Sequence, residues 1–514
     1  MASSPLSMLY STKEGVFTSV VVIIILSIAK SIITSRYFHP LSQFPGPFIA
    51  SFSRLWIVYW NLLGVEYLKE YDLHKKYGPV IRITPTMLLV SDPKMLPEIY
   101  HRRADKADHY VTGSFGKTPS VFNIQPHEVH AAARKRIAQP YSMTAVKPME
   151  GLIDARIVEW TDKLENDFVK TGKKFDFAPW VTYFAYDVIS EVAFGKSLGF
   201  VTKGIDIDGL IQSFHDGLPA FGFLCRLHPF TKWIKETWVA DAYMIPKPGD
   251  NTGIGNIMTF RDNLLEERIK NNNDPDHKVE YKDLLQNFLA AKNNDGSPMP
   301  IEDIKAETLL VLLAGSDTTA TSVQALMVDL LSNPRCLEKL IAEISEKDAA
   351  GLLSPVPKYD EVLEHLPYYC ACLREAMRMT PAAPNIFPRV VSQGGLNLYG
   401  KHVPAGFEVT ENPWISQRDK TVYGEDSEIF RPERWLEDPK KAQEMDKYDF
   451  TWGFGTRVCL GKNIALMELH KAPVQFFRLF TPELVNKEKP STYVVAGGVS
   501  FHKDLWLNIK KRQV

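Results

Sequence analysis

Apolar and polar positions divide the chain into a membrane-length stretch, a small strand region and a long helical body. From Gly15 to Ile33 the sequence GVFTSVVVIIILSIAKSII runs 19 residues with one charge, Lys30. As a helix it would extend about 28 Å, roughly one hydrocarbon core, and this predicts a single span. Lys30 lies near the end, where its amine reaches the headgroups, and Arg36 adds a second positive charge there against the balanced Lys13 and Glu14. That bias places everything downstream in the cytosol. A cleaved signal peptide is the competing reading, through the small-x-small triplet Ser27-Ile28-Ala29, but no positive segment precedes the apolar run. Phe44-Pro45-Gly46-Pro47 then reads as a stiff joint, because prolines restrict themselves and the residues before them.

Beyond the joint, Val80-Ile81-Arg82-Ile83 and Met87-Leu88-Leu89-Val90 are β-like runs split by Thr84-Pro85-Thr86, which predicts a hairpin. From about Glu128 to Ser332 most segments have helical spacing, including Phe177 to Phe194 and Thr259 to Lys270, with a break at Asn271-Asn272-Asn273-Asp274-Pro275. After Val390 short strands and turns return, punctuated by Gly394-Gly395, Gly400 and Pro404-Ala405-Gly406, before a final helix starting near Lys462. The predicted class is mainly α with a smaller β region.

Charge narrows the partners. The 60 basic and 61 acidic side chains give a net charge of -1, so no global basic field points to nucleic acid. Five cysteines, Cys225, Cys336, Cys370, Cys372 and Cys459, are few and odd in number for 514 residues, which argues for a reducing compartment. Cys370 and Cys372 lack a second pair at zinc spacing and read as packing residues.

Cys459 is different. It lies in Trp452-Gly453-Phe454-Gly455-Thr456-Arg457-Val458-Cys459-Leu460-Gly461, framed by three glycines and an arginine just before an apolar helical pattern. Glycines let a backbone approach a flat cofactor, while loop N–H groups and a helix N-terminus keep a thiolate ionised. The run resembles the cytochrome P-450 signature Phe-x-x-Gly-x-Arg-x-Cys-x-Gly at every defined position but the first, where Trp452 stands for phenylalanine. The resemblance implies the cytochrome P-450 fold with an N-terminal transmembrane helix, and haem b whose iron is ligated by the Cys459 thiolate. It divides the chain into an anchor (1–35), a proline-containing hinge (36–48) and a catalytic domain (49–514). Gly455, Gly461 and Trp452 would line the ligand loop.

Four further motifs match the same family in order. Ala314-Gly315-Ser316-Asp317-Thr318-Thr319 sits inside an apolar helical pattern from roughly Ile301 to Leu331 and looks like its oxygen-activation segment. Gly315 costs about 1 kcal/mol against alanine in a helix, and hydroxyls at Thr318 and Thr319 can bond a preceding carbonyl and bend the helix. By analogy Asp317 and Thr318 form the acid–alcohol pair that supplies protons. Glu375-Ala376-Met377-Arg378 and Phe430-Arg431-Pro432-Glu433-Arg434-Trp435 match the segments in which Glu375 is shared between Arg378 and Arg434. His130-Ala131-Ala132-Ala133-Arg134 matches a haem-propionate helix motif, with Arg457 and Arg389 as further propionate partners. Segments such as Tyr77-Gly78-Pro79-Val80-Ile81-Arg82-Ile83 and Asn412-Pro413-Trp414 resemble filamentous-fungal members near the pisatin demethylase and benzoate hydroxylase groups. Gln417-Arg418-Asp419 departs from the usual His-Arg-Asp, which puts a hydrogen bond near the haem edge in question.

The implied function is a monooxygenase at the endoplasmic reticulum membrane, single-pass, with a cytosolic catalytic domain. It would take electrons from an NADPH-cytochrome P-450 reductase, with cytochrome b5 as an optional donor, and oxidise a small hydrophobic organic substrate in fungal secondary metabolism. A xenobiotic-detoxifying monooxygenase is a variant of that reading. A haem-thiolate isomerase or dehydratase on the same fold, and a non-enzymatic haem carrier or sensor, are the alternatives from other classes. Lys135, Arg136, Lys462 and Lys471 are the candidate reductase contacts. Substrate-facing segments are expected at Asp108 to Gln125, Leu310 to Ala314, Ala382 to Phe387 and Val494 to Val499.

Overall fold

In the computed structural model, which describes residues 13–113, 118–243, 245–250, 253–272 and 283–512, helices carry most of the chain. Helix α1, Lys13–Ile33, runs into a π-helical turn at Thr34–Phe38. The stretch Val16–Phe38 has a mean hydropathy of 2.5 with none of it buried, so it is long and apolar enough to cross a bilayer. Its end is tied to the body by Arg82, whose guanidinium donates to the Ser35 carbonyl at 2.8 Å and the Pro85 carbonyl at 2.7 Å. The joint is held on the same residue, since the Arg82 N–H donates to the Pro45 carbonyl at 2.8 Å.

The helices that build the site are α2 (His127–Ile137), α3 (Glu150–Leu164), α4 (Phe177–Phe194) and α5 (Leu210–Arg226). They are followed by α6 (Ile301–Gly315), α7 (Asp317–Ser332), α8 (Pro367–Met379) and α9 (Lys462–Leu479). Local chemistry sets their ends. The Asp176 carboxylate accepts from the Ala178 N–H at 3.1 Å to start α4, and Gly195 closes it in the left-handed region at φ 69°. The helix predicted from Thr259 to Lys270 spans Gly253–Asn272; the rest of the expected break, 273–275, lies outside the described residues.

Trp160 on α3 packs within 5.2 Å of Phe184 on α4 and 5.7 Å of Phe476 on α9, ring centre to ring centre. This aromatic cluster fixes α9, and so the loop before it, against the middle of the helical body.

The sheets are small. Strands β1 (Val80–Arg82) and β2 (Met87–Val90) form the expected antiparallel hairpin, with Val80 opposite Val90. They belong to a five-stranded sheet ordered β1-β2-β8-β5-β3, where β3 is Asp105–Lys106, β5 Arg389–Val390 and β8 Glu408–Thr410. Strand β4 (Phe175–Asp176) joins β12 (Trp506–Lys511) and β9 (Phe480–Leu484), while β6 (Leu396–Leu398) pairs with β7 (Lys401–Val403). A separate hairpin joins β10 (Thr492–Ala496) to β11 (Val499–Lys503).

The long pattern predicted as one helix from Ile301 is two helices broken at Ser316, whose φ of -95° and ψ of -62° interrupt the run. Sterics and hydrogen bonds account for the break. A Cβ on Gly315 would stand 2.7 Å from Ile189 Cγ1 on α4, so only glycine lets the two helices approach this closely. The Thr318 hydroxyl donates to the Ala314 carbonyl at 3.0 Å and that of Thr319 to the Gly315 carbonyl at 3.3 Å.

Glu307, one turn into α6, is 4% exposed and accepts from the Val121 N–H at 2.6 Å. Burial lifts its carboxyl to about 7, against the pull of that N–H and of Arg136. The folded chain therefore keeps a proton that an ordinary glutamate loses near 4.5, and stability falls as pH rises from there to about 7. Glu307→Gln retains an acceptor for Val121. It is expected to match the parent at low pH and to exceed its stability by up to about 3 kcal/mol above neutrality, read by unfolding at both extremes.

Candidate haem-thiolate site

All five cysteines are free, and Cys459 alone is exposed. That separates it from a core cysteine. Its loop makes a 3₁₀ turn at Gly455–Arg457 and returns so that the Cys459 N–H donates to the Trp452 carbonyl at 2.7 Å. Gly455 has φ 67°, and a Cβ there would meet the Tyr100 carbonyl oxygen at 2.4 Å, so the loop is pressed against Tyr100 through a position that only glycine fits. Protein walls around the sulfur raise its thiol pKa, opposed by the Gly461 and Lys462 N–H groups at the start of α9 and by the charge of Arg134. Gly461 meets no side chain or backbone within 4 Å on its Cβ side, which leaves the loop face open to a flat partner.

Behind the loop sits Glu375 on α8, fully buried. Its oxygens accept from Arg378 Nε at 2.9 Å and Nη2 at 2.8 Å, from Arg434 Nε at 2.8 Å, from the Trp435 indole at 2.9 Å and from the Arg431 N–H at 3.0 Å. Burial alone would raise this carboxyl; the arginine bonds and charges win and hold it below the usual range. Gln417 belongs to this cluster. Its carbonyl accepts from Arg378 Nη1 at 2.7 Å, and its side-chain oxygen accepts from the Thr451 hydroxyl at 2.8 Å, beside Trp452. The departure from histidine thus bears on how the ligand loop is braced.

The sequence-predicted bases come together from three segments. His130 and Arg134 lie on α2, Arg389 on β5 and Arg457 in the ligand loop, and Lys106 on β3 joins them because it pairs with Arg389. Burial, followed by the charges of Arg457, Lys106, Arg134 and Arg389, pushes His130 down to about 3, and burial with the neighbouring arginines pushes Lys106 well below its ordinary value. Arg457 is lowered to about 10 by burial and by Arg389. Backbone carbonyls satisfy part of this charge: Arg457 donates to those of Ile124 and Gln125, both at 2.6 Å. Among the described residues no ion pair to a carboxylate serves Arg134, Arg389, Arg457 or Lys106. Five bases without an acid fit a dianionic group, as the two propionates of a haem would be.

Two of the four expected substrate segments, at Val121 and at Ala382, are held by hydrogen bonds beside α6 and α7. Val121 bonds Glu307 of α6, and Ser500 donates its N–H to the Ala382 carbonyl at 3.0 Å while its own carbonyl accepts from Thr321 of α7. In the first of these segments residues 114–117 lie outside the described residues. Tyr141 feels both the Glu307 carboxylate and the Cys459 sulfur, which sets α6 and the ligand loop about one side chain. A separate cavity of about 610 Å³ is lined by Phe52, Arg54, Asp108, His228, Val390 and Glu408 and touches neither Cys459 nor the break.

Residues 51–504 match the sequence pattern of the family described as Cytochrome P450. The chain belongs to the cytochrome P450 family. Relatives include quiannulatic acid synthase of Emericella variicolor, 36% identical over 490 residues covering 94% of this chain and 92% of that one. The cytochrome P450 monooxygenase gsfF of Penicillium aethiopicum is 33% identical, covering 89% and 91%, and pkfB of Emericella nidulans is 33% identical, covering 88% of each. This P450 is accordingly an oxidoreductase that incorporates oxygen, and the family implies haem with iron held by a cysteine thiolate.

One expectation is corrected. Lys471 is not a surface contact for a reductase: it is fully buried on α9, paired with Glu150 and, at 2.6 Å, with Asp154. Arg136 is likewise engaged, by Asp303 at 2.8 Å and Asn293 at 2.6 Å. Both serve helix packing, which leaves Lys135 and Lys462 of the proposed patch.

Removing Glu375 leaves Arg378 and Arg434 buried without their shared acid. Glu375→Ala is expected to cost about 3–5 kcal/mol and to abolish the thiolate signature in the reduced carbon-monoxide spectrum.

Proposed function

We propose that this P450 is a haem b monooxygenase that takes electrons from an NADPH-cytochrome P450 reductase, with cytochrome b5 as an optional donor, and oxidises a small hydrophobic organic molecule in fungal secondary metabolism. The observation that carries this reading is the helix break at Ser316, immediately before the acid and alcohol Asp317 and Thr318. When bound, haem would supply iron-centred dioxygen activation. Cys459 would hold it from the loop, with Gly455, Gly461 and Trp452 around the sulfur, while Arg134, Arg389, Arg457, His130 and Lys106 bind and orient its acid groups. Thr318 is half-buried beside the exposed Ala314, where its hydroxyl can take part in proton transfer on the open side of the helix, and Asp317 is the acid next to it. The presence of an acid beside this alcohol favours the oxygen-activating reading over an isomerase, which needs no proton supply of this kind.

The relatives' names support a fungal biosynthetic setting, and one of them is named for producing an acid. Successive oxidation of one carbon by this chain is in keeping with that name, while the motif likeness to the pisatin demethylase and benzoate hydroxylase groups is in keeping with demethylation or hydroxylation. For location we read 1–35 as the anchor, 36–48 as the hinge and 49–514 as the cytosolic catalytic domain at the endoplasmic reticulum. The row of exposed apolar side chains next to the anchor, Phe38, Phe48, Ile49, Leu55 and Tyr59, extends the surface available to lipid.

Two outcomes test the assignment. With reductase and NADPH, oxygen reduced without product ends as peroxide, using one NADPH, or as water, using two, so peroxide per NADPH reads proton supply. Thr318→Ala is expected to keep its haem and raise that ratio by about twofold or more; an unchanged ratio removes Thr318 from the proton path. Trp452 lies at the loop with Lys462 5.9 Å from its ring centre. As an indole near the thiolate it should draw charge from sulfur, so Trp452→Phe is expected to lower the haem reduction potential by on the order of tens of millivolts in spectroelectrochemistry.

A further inference from the structure

Asp317 opens α7 and is 3% exposed, yet neither of its carboxylate oxygens is spare. His215 Nε2 on α5 lies 2.7 Å from Oδ1, and the Tyr186 hydroxyl on α4 donates to Oδ2 at 3.2 Å. A carboxylate accepts only, so the imidazole carries its proton on Nε2 when Asp317 is ionised. The ring cannot turn freely: it stacks on Phe501 of β11 with centroids 4.1 Å apart and planes 9° from parallel. The His215 side chain keeps 13% exposure against 3% for Asp317, so the imidazole stands on the wetter side of the acid. Thr318, the next residue, makes no contact with this group and donates to Ala314.

We propose that His215 is a positioning residue for Asp317, one that aims the acid at the helix break and stabilises the carboxylate left when its proton moves toward Thr318. The proton leaves Asp317 for the Thr318 hydroxyl oxygen, whose own proton passes on to the oxygen being reduced; the negative charge stays on the two Asp317 oxygens, and the His215 N–H and Tyr186 O–H remain as donors to it. A donor to an ionised acceptor is about twice as strong as one to a neutral group, so both bonds tighten on the carboxylate. Because His215 sits on α5 and stacks on the β10–β11 hairpin, the alignment of the acid depends on the packing of α5 beside α7. This inference rests on reading Asp317 and Thr318 as the proton-handling pair.

A plain packing tie between α5 and α7 would also place a histidine here, and the test separates the two. The holoenzyme with reductase and NADPH, without added substrate, is assayed for peroxide per NADPH. His215→Phe keeps a ring against Phe501 and deletes the donor; it is expected to raise the ratio about threefold or more while retaining the reduced carbon-monoxide signature and the parent's melting temperature. His215→Gln, whose amide N–H reaches the same oxygen, is expected to restore most of the parent's ratio. If phenylalanine prevents folding, His215→Met makes the same deletion. The proposal is overturned if the donor-deleted chain keeps the parent's ratio, or if glutamine is as uncoupled as phenylalanine, since shape alone would then matter. Asp317→Asn run in parallel divides the failures: if it too leaves the ratio unchanged the proton-pair reading itself fails, and if it raises the ratio while the donor-deleted chain does not, only the role of His215 fails. A parent that consumes no oxygen with NADPH overturns both.

Discussion

Everything at the Cys459 loop depends on one buried carboxylate. Glu375 gathers two guanidinium groups, an indole N–H and a backbone N–H at a point with no access to water. Isolated, each of these charges would be prohibitive to bury; together they form a rigid node joining α8 to the Pro432–Trp435 turn and, through Arg378 and Gln417, to Thr451 at the mouth of the ligand loop. The aromatic packing of Trp160 and Phe476 fixes the other end of the loop by holding α9. Cys459 is thus suspended between two immobile supports, which lets a short glycine-rich segment present an exposed sulfur in one orientation.

The opposite arrangement holds on the other side of the loop. Lys106, His130, Arg134, Arg389 and Arg457 crowd together, and burial first, then their mutual repulsion, push Lys106, His130 and Arg457 down. Carbonyl oxygens at Ile124 and Gln125 relieve part of it without neutralising it. A fold that tolerates such a cluster would gain stability if a dianion entered among these five side chains.

How much of this could be read from the sequence follows from the range of the interactions. Helix α4 matched its predicted bounds because its cap at Asp176 and its glycine stop are local, and α9 began at Lys462 as the apolar pattern required. The Glu375 node was legible because its two arginines lie in recognisable motifs. Lys106 was not, since its place in the basic cluster comes from a two-residue strand paired with Arg389 far along the chain, and no local pattern marks it. Lys471 was misread for the same reason: a lysine on a helix reads as surface unless its partners Glu150 and Asp154 are known to lie opposite. His215 carried no sequence signal, being a single histidine on an amphipathic helix.

The break between α6 and α7 shows why acid and alcohol must be separated to work together. Adjacent helical residues point about 100° apart, so Thr318 turns to the open side of the helix while Asp317 faces the neighbouring helices. There the donors from α4 and α5 satisfy both of its oxygens. The chain therefore uses its helical body twice, first through Gly315 against Ile189 to open the helix, then through Tyr186 and His215 to hold the acid that the opening brings into position. The close approach that bends the helix and one of the two donors to Asp317 both come from the packing of α4 on α6 and α7, while the second donor is supplied independently by α5.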